Sequence, residues 1–594
     1  MKSRALGAVL LLSLASPPAL RAQVRERVRA NDNRARAGVL LNGTLALRME
    51  ARLAEWHPQG DDQPGSVVPA FAEIGRQASI PGPLIRVPAG TEVVTVVRNA
   101  VPNTILTIHG LHSRPVVGAA FNDSTQLTYG QIQTLRFKLD RPGTYYYWAT
   151  TRGSSFQDRT HDDAQLSGAI VVDEAGQRVQ KDRILMIGGW TDTVGTENNR
   201  HSRRQLFVLN GRSWPQTDRL QYERGDTVRW RVINASADLH PMHLHGFYFR
   251  VRRRGDGKAD TVVSQRGDLV NTERMEPGST AFMQWTADRM GNWLFHCHIP
   301  LHIEARGPMG LPLPPALTQA GRVHAPGNTG MGGLVAGVEV KQAEEDTTSV
   351  SALPPVTVPA ARRMRLLLRP NVGSTPLRPY YGVAIDELGA EPVADSGQRV
   401  APPLVLTRNQ PVSIMVINRL PEATSIHWHG LELDSYYDGV PGFSGIRPQQ
   451  APLIAPNDSF EVRLTPPRAG TFIYHAHVNE VRQLRAGISG ALLVVEKGKF
   501  DATKEFPVVV SSPSDSVEEE RAVLLNGSLT PAPLVLKRAV ASRLRLINIT
   551  SQRQGMRFEL RQADTLMTWR PLAKDGADLP VAERTLKPAR QPLT

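Results

Sequence analysis

The feature that most restricts this chain is that it repeats itself. Residues 81–173 (PGPLIRVPAGTEVVTVVRN … IHGLHSRP … RPGTYYYWATT … LSGAIVVD) are matched by residues 402–495 (PPLVLTRNQPVSIMVIN … IHWHGLELD … RAGTFIYHAHV … ISGALLVV). A second block, FVLNGRSWPQTDRLQYERGDTVRWRVINAS at 207–236, returns as VLLNGSLTPAPLVLKRAVASRLRLINITS at 523–551. The order is therefore A, B, A, B, and each repeat has to bury its own apolar side chains. Short β-branched runs such as TEVVTVV, GAIVVD, LRLINI and GALLVVE alternate with turn residues, and 49 glycines and 45 prolines punctuate the chain. This pattern predicts an all-β protein of tandem Greek-key β-sandwich domains.

The repeats place domains at 38–175, 180–315, 363–498 and 503–594. Between the second and third, residues 316–362 include APGNTGMGGLVAG and QAEEDTTSVSALPPVTVP, a Gly-, Pro-, Ser- and acid-rich stretch that reads as a flexible linker. In the last repeat, DLPVAERTLKPARQPLT aligns with DLVNTERMEPGSTAFM, which in the second domain continues into further strands. Residues 503–594 are therefore expected to form an incomplete sandwich of structural role, its open edge met by more chain or by another domain or subunit. At the other end, MKSRALGAVLLLSLASPPALRAQ reads as a signal peptide over residues 1–22, which implies a periplasmic or secreted protein. No later apolar run is long enough to span a bilayer, so no stable membrane insertion is expected. The formal charge of +14 comes from scattered Lys and Arg without a basic helix or an aromatic RNA-binding motif, and nucleic acid is not an expected partner.

One cysteine in an exported chain cannot form an internal disulfide, so it is a reactive thiol or a metal ligand. Here it is Cys297, in WLFHCHIPLH, flanked on both sides by histidine. Of sixteen histidines, ten lie in four clusters: HPMHLHG (His240, His243, His245), HCHIPLH (His296, His298, His302), HWHG (His427, His429) and HAH (His475, His477). On a strand, residues two apart share a face, so each H-x-H pair offers two imidazoles to one site. Imidazole with thiolate is a donor set that suits copper.

These four clusters resemble the copper-binding motifs of the multicopper oxidases, the family of laccases, ferroxidases and cuprous oxidases. The resemblance covers essentially the whole chain after residue 22, and it implies cupredoxin-like domains that hold four copper ions: one type 1, one type 2 and two type 3. Carried over by position, it makes His240, Cys297 and His302 the type 1 ligands. It gives His243 and His427 to the type 2 copper, and His245, His429, His475, His477, His296 and His298 to the type 3 pair. Cys297 would then take up electrons while its neighbours His296 and His298 hold the copper cluster that reduces dioxygen. The family's axial position falls on Gly307; Met309, two residues on, is the favoured weak axial ligand, with no axial ligand as the alternative.

The outer repeats depart from this pattern. Thr107, Trp148 and Thr150 stand where the third domain has His427, His475 and His477, and Gln554, Arg557 and Glu559 stand where the second has His240, His243 and His245. Copper chemistry is thus expected in the inner two domains alone, with His109 and His112 as structural or surface residues. The family's usual motif order is inverted here, and the oxygen site would form either within one chain or between subunits of a homo-oligomer. Asp438, in DGVPG, matches an acid that the family uses near the type 2 copper, and Glu480 is a second candidate; both are expected to serve the proton-consuming reduction of dioxygen. An oxidase of phenolic or organic reductants, laccase-like, is the leading expectation, with dioxygen as the acceptor. A metal-ion oxidase (ferroxidase or cuprous oxidase) and a non-catalytic copper electron carrier are the alternatives. A carrier or a copper nitrite reductase would not need the full set of H-x-H pairs.

Overall fold

A computed structural model of the chain describes residues 25–115, 123–177, 181–192, 204–264, 266–304, 309, 331–343, 361–376, 378–387, 400–512, 523–550 and 557–592. The protein is mostly β-strand, as the alternation of apolar and polar residues requires. Each of the first three repeats folds into two sheets packed face to face. Their cores are separate: Phe71, Tyr145 and Tyr147 in the first, Trp230, Trp293 and Phe295 in the second, and Trp428, Tyr474 and Leu492 in the third. The apparent signal peptide lies outside the described residues.

In the second domain one sheet runs in the order Arg219–Glu223, Val335–Lys341, Gly291–Cys297, His240–Leu244, Thr272–Met275. Its second member corrects the sequence reading, because Val335–Lys341 lies inside the span 316–362 expected to be a flexible linker. It pairs parallel with Arg219–Glu223 and antiparallel with the strand that carries Cys297. The physical reason is that VAGVEVK buries Val335, Ala336, Val338 and Val340, a strand-length apolar run that the surrounding Gly- and acid-rich residues obscured. Residues 316–330 and 344–360 of that region lie outside the described residues.

The second and third domains meet across the cysteine-bearing strand. Gly445 of the third domain pairs with Asn292, whose side chain donates to the Gly445 carbonyl (2.9 Å), and Ser435 Oγ donates to the Asn292 carbonyl (2.7 Å). Gly291, at φ +121°, leaves room for this approach; a Cβ there would lie 2.4 Å from Ser435 Cβ. Arg289 and Arg468, one from each domain, both reach Glu432.

Among the described residues, 503–592 build the three-stranded sheet of Leu524–Leu525, Glu505–Ser511 and Arg543–Asn548, followed by four two-stranded ribbons. Val509 and Ile547 pack on Leu493 and Val495 of the third domain, and Arg545 donates to Thr471 Oγ1 (2.7 Å). One ribbon, Ala573–Lys574 with Ala577–Asp578, turns at Asp575–Gly576, both with positive φ, as the Asp-Gly pair of a tight hairpin requires.

Candidate metal centre

The ligand candidates follow from strand register. His240–Leu244 and Gly291–Cys297 are antiparallel neighbours with Met242 opposite Cys297 and His243 opposite His296. Alternation then sends His240 and Cys297 to one face of the sheet and His243 and His296 to the other. In the third domain, Ile426–His429 pairs with Gly470–Ala476, placing His427 opposite His475.

On the first face, His240, Cys297 and His302 converge with all three side chains buried. Cys297 Sγ is 3.5 Å from His302 Nδ1, which is 3.1 Å from His240 Nδ1. Ser236 Oγ sits 2.8 Å from His240 Nε2, and Phe207 covers both imidazoles. Burial lowers the His240 pKa to about 3 and pushes the Cys297 thiol well above its ordinary value. Two neutral nitrogens and one sulfur gathered within 4.8 Å of one another fit a trigonal copper site, and binding there has to displace the thiol proton. Met309 is buried among Trp56, Ile80, Trp190 and Val208, where the first and second domains meet.

On the opposite face eight imidazoles line one chamber, four from each of the two inner domains of the same chain. Their donor atoms gather as His245, His296 and His477; as His298, His429 and His475; and as His243, His427 and His429. His243 and His429 stack at 3.8 Å between centroids, and His245 and His427 at 3.9 Å. Several imidazoles donate from Nδ1 to a main-chain carbonyl: His243 to Asn271 (2.9 Å), His296 to Cys297 (2.8 Å), His427 to Asp438 (2.7 Å) and His475 to Ala476 (2.9 Å). Those bonds fix the tautomer and leave Nε2 as a lone pair directed inward. The Nε2 atoms of His243 and His427 are buried without a hydrogen-bond partner, and those of His245 and His296 face each other at 2.9 Å. Burial, reinforced by the neighbouring imidazoles, holds the pKa values of His243, His245, His298, His429 and His477 well below the usual range. Those of His296 and His475 fall to about 4 and about 3, again chiefly through burial. So many neutral, inward-facing donors without proton partners are costly unless cations satisfy them, and the donor set fits copper.

Both expected acids lie at this chamber. Asp438 is fully buried; its Oδ2 accepts from His245 Nδ1 (2.8 Å) and from Ser444 Oγ (3.0 Å). Glu480 opens the helix Glu480–Ala486, has a side chain that is 8% exposed, and places Oε1 at 3.8 Å from His475 Nδ1; burial raises its pKa to about 8. Sequence reasoning missed Ser236, Ser444, Asn271 and Thr272, which hold ligand candidates or Asp438 but belong to no motif. In the first domain His109 stacks on Trp148 (4.0 Å) beside Asp123, a structural role for a histidine without its partners.

A multicopper oxidase family model matches residues 191–310, and a second one matches residues 71–177 and 387–499. Laccase-1 of Emericella nidulans is 35% identical over 144 residues, covering 24% of this chain and 22% of that protein. The iron transport multicopper oxidase fio1 of Schizosaccharomyces pombe is 35% identical over 98 residues, 15% of this chain and 16% of its own length. The matched stretch thus spans about a fifth of these relatives. A blue copper oxidase from Nitrosomonas europaea aligns in structure at 20% identity and a TM-score of 0.38, covering 50% of this chain and 86% of its own. Because the family matches together span more than half of the chain and fall on each of the first three repeats, the chain belongs to the multicopper oxidase family.

Proposed function

We propose that this protein is an exported, laccase-like oxidase that removes single electrons from a phenolic or other organic reductant and passes four of them to dioxygen, releasing water. The observation that carries the reading is the eight-imidazole chamber, because an electron carrier has no use for it. His240, Cys297 and His302, with Met309 as the favoured weak axial ligand, would hold the type 1 copper. His243 and His427 would hold the type 2 copper, with His245, His296 and His477 around one type 3 ion and His298, His429 and His475 around the other. When bound, copper supplies the one-electron chemistry, taken up at the cysteine site and delivered to dioxygen at the histidine chamber.

The chain's own residues give this chemistry its direction. Cys297 is bonded through the main chain to His296 and His298, so the two sites are joined by a continuous covalent path. The Asp438 carboxylate holds His245 in the tautomer that presents Nε2 inward. Glu480, with its raised pKa, retains a proton near neutrality at the edge of the chamber, where the reduction of dioxygen consumes one proton per electron. Among the described residues no helix is long and apolar enough to cross a membrane. A metal-ion reductant is the second reading, favoured by the similarity to an iron transport oxidase.

Steady-state oxygen uptake by the copper-loaded protein, with a phenol, Fe(II) and Cu(I) supplied side by side, tests both. Turnover highest with the phenol is expected. Preference for Fe(II) or Cu(I) would favour the second reading, and no uptake with any of the three would remove the oxidase assignment.

A further inference from the structure

The last domain carries no ligand candidates, yet its Asp575–Gly576 turn reaches the wall of the imidazole chamber. Asp575 Oδ2 accepts from the main-chain N–H groups of Asn271 (2.6 Å) and Thr272 (2.7 Å). The Asp575 carbonyl accepts from Tyr248 Oη (3.1 Å) and Asn271 Nδ2 (3.2 Å). The anchored dipeptide is the one that supports His243: the Asn271 carbonyl accepts a hydrogen bond from His243 Nδ1, and Thr272 Oγ1 lies 3.2 Å from His243 Nδ1 and 3.4 Å from His429 Nε2. Two bonded steps therefore connect Asp575 to His243. The turn is tightly seated, since a Cβ on Gly576 would lie 2.5 Å from Tyr248 Oη and 2.6 Å from Phe472 Cε1. A cleft of about 1840 Å³ runs alongside, bordered by this turn and by His298, His429 and His475.

We propose that Asp575 is a positioning residue for the type 2 copper site, fixing the Asn271–Thr272 segment so that His243 is presented in the binding tautomer and orientation. This rests on the trinuclear reading above. The carboxylate suits the task because one oxygen collects two converging N–H groups, which pins the peptide plane whose carbonyl orients the imidazole. Its effect should be local, because strand alternation puts His240 and Cys297 on the other face of the sheet from His243.

Asp575→Ala and Asp575→Asn, each copper-loaded, are compared with the parent chain by copper content, by the electron paramagnetic resonance of type 2 copper and by the blue type 1 absorption. Asp575→Ala is expected to keep the type 1 band while binding type 2 copper about 10-fold more weakly, with a shifted type 2 spectrum. Asp575→Asn, which retains an acceptor oxygen, should restore both. An unchanged type 2 spectrum and copper content in Asp575→Ala overturns the positioning role. So does simultaneous loss of the type 1 band, because Asp575 would then serve the fold as a whole. If the parent chain itself shows no type 2 signal, the oxidase reading fails independently of Asp575.

Discussion

Because successive side chains leave a strand on opposite faces, Cys297 turns toward His240 and His302 while its two neighbours turn toward the third domain. The thiol is buried and its proton tightly held, so its chemistry is silent until a metal replaces that proton. Cys297→Ser is expected to abolish the blue absorption and all turnover while the chain stays folded, at a cost of about 1–3 kcal/mol. Visible spectroscopy beside circular dichroism checks this, and a serine variant that stayed blue would refute the ligand assignment. At this scale the sequence was most informative: eight histidines in four H-x-H pairs could be assigned to shared faces before any fold was known. Ser236, Ser444 and Thr272 could not, because a lone hydroxyl within hydrogen-bond reach of an imidazole leaves no pattern along the chain.

Among elements, the strand Val335–Lys341 shows where composition misleads. Gly- and acid-rich flanks made the whole span look like a linker, yet four of its residues complete the sheet beside the Cys297 strand. Val338, opposite Trp293, is 1% exposed. Val338→Ala should destabilise the second domain by about 2 kcal/mol and lower the temperature at which the blue band is lost, whereas a true linker position would show no effect. The two-sheet architecture of the first three repeats was legible from repeated strand and turn signals. The seating of the Ala573–Asp578 hairpin was not: its Asp-Gly turn is visible, but its partners are some three hundred residues away, and nothing local specifies them.

Over the whole molecule, the division of ligand candidates between two domains would, on the proposed function, separate electron uptake from oxygen reduction. The cysteine site draws only on the second domain, and the imidazole chamber needs both. His427→Ala, with its ring removed from the stack on His245, is expected to leave the blue band intact and to lower oxygen uptake by about 100-fold or more. In a stopped-flow mixing experiment with reductant, the band should bleach and fail to recover in air. Normal recovery would place the oxygen site elsewhere.

The same division has a consequence in time. All three ligand candidates of the cysteine site, and the strand that closes their sheet, precede residue 342, whereas the chamber is unfinished until His477 has been made. A chain that folds from its N-terminus as it emerges therefore completes the electron-accepting pocket while half of the oxygen-reducing pocket does not yet exist. On the proposed ligand assignment, the pocket for the electron-accepting ion is therefore complete in the growing chain before the chamber for dioxygen is.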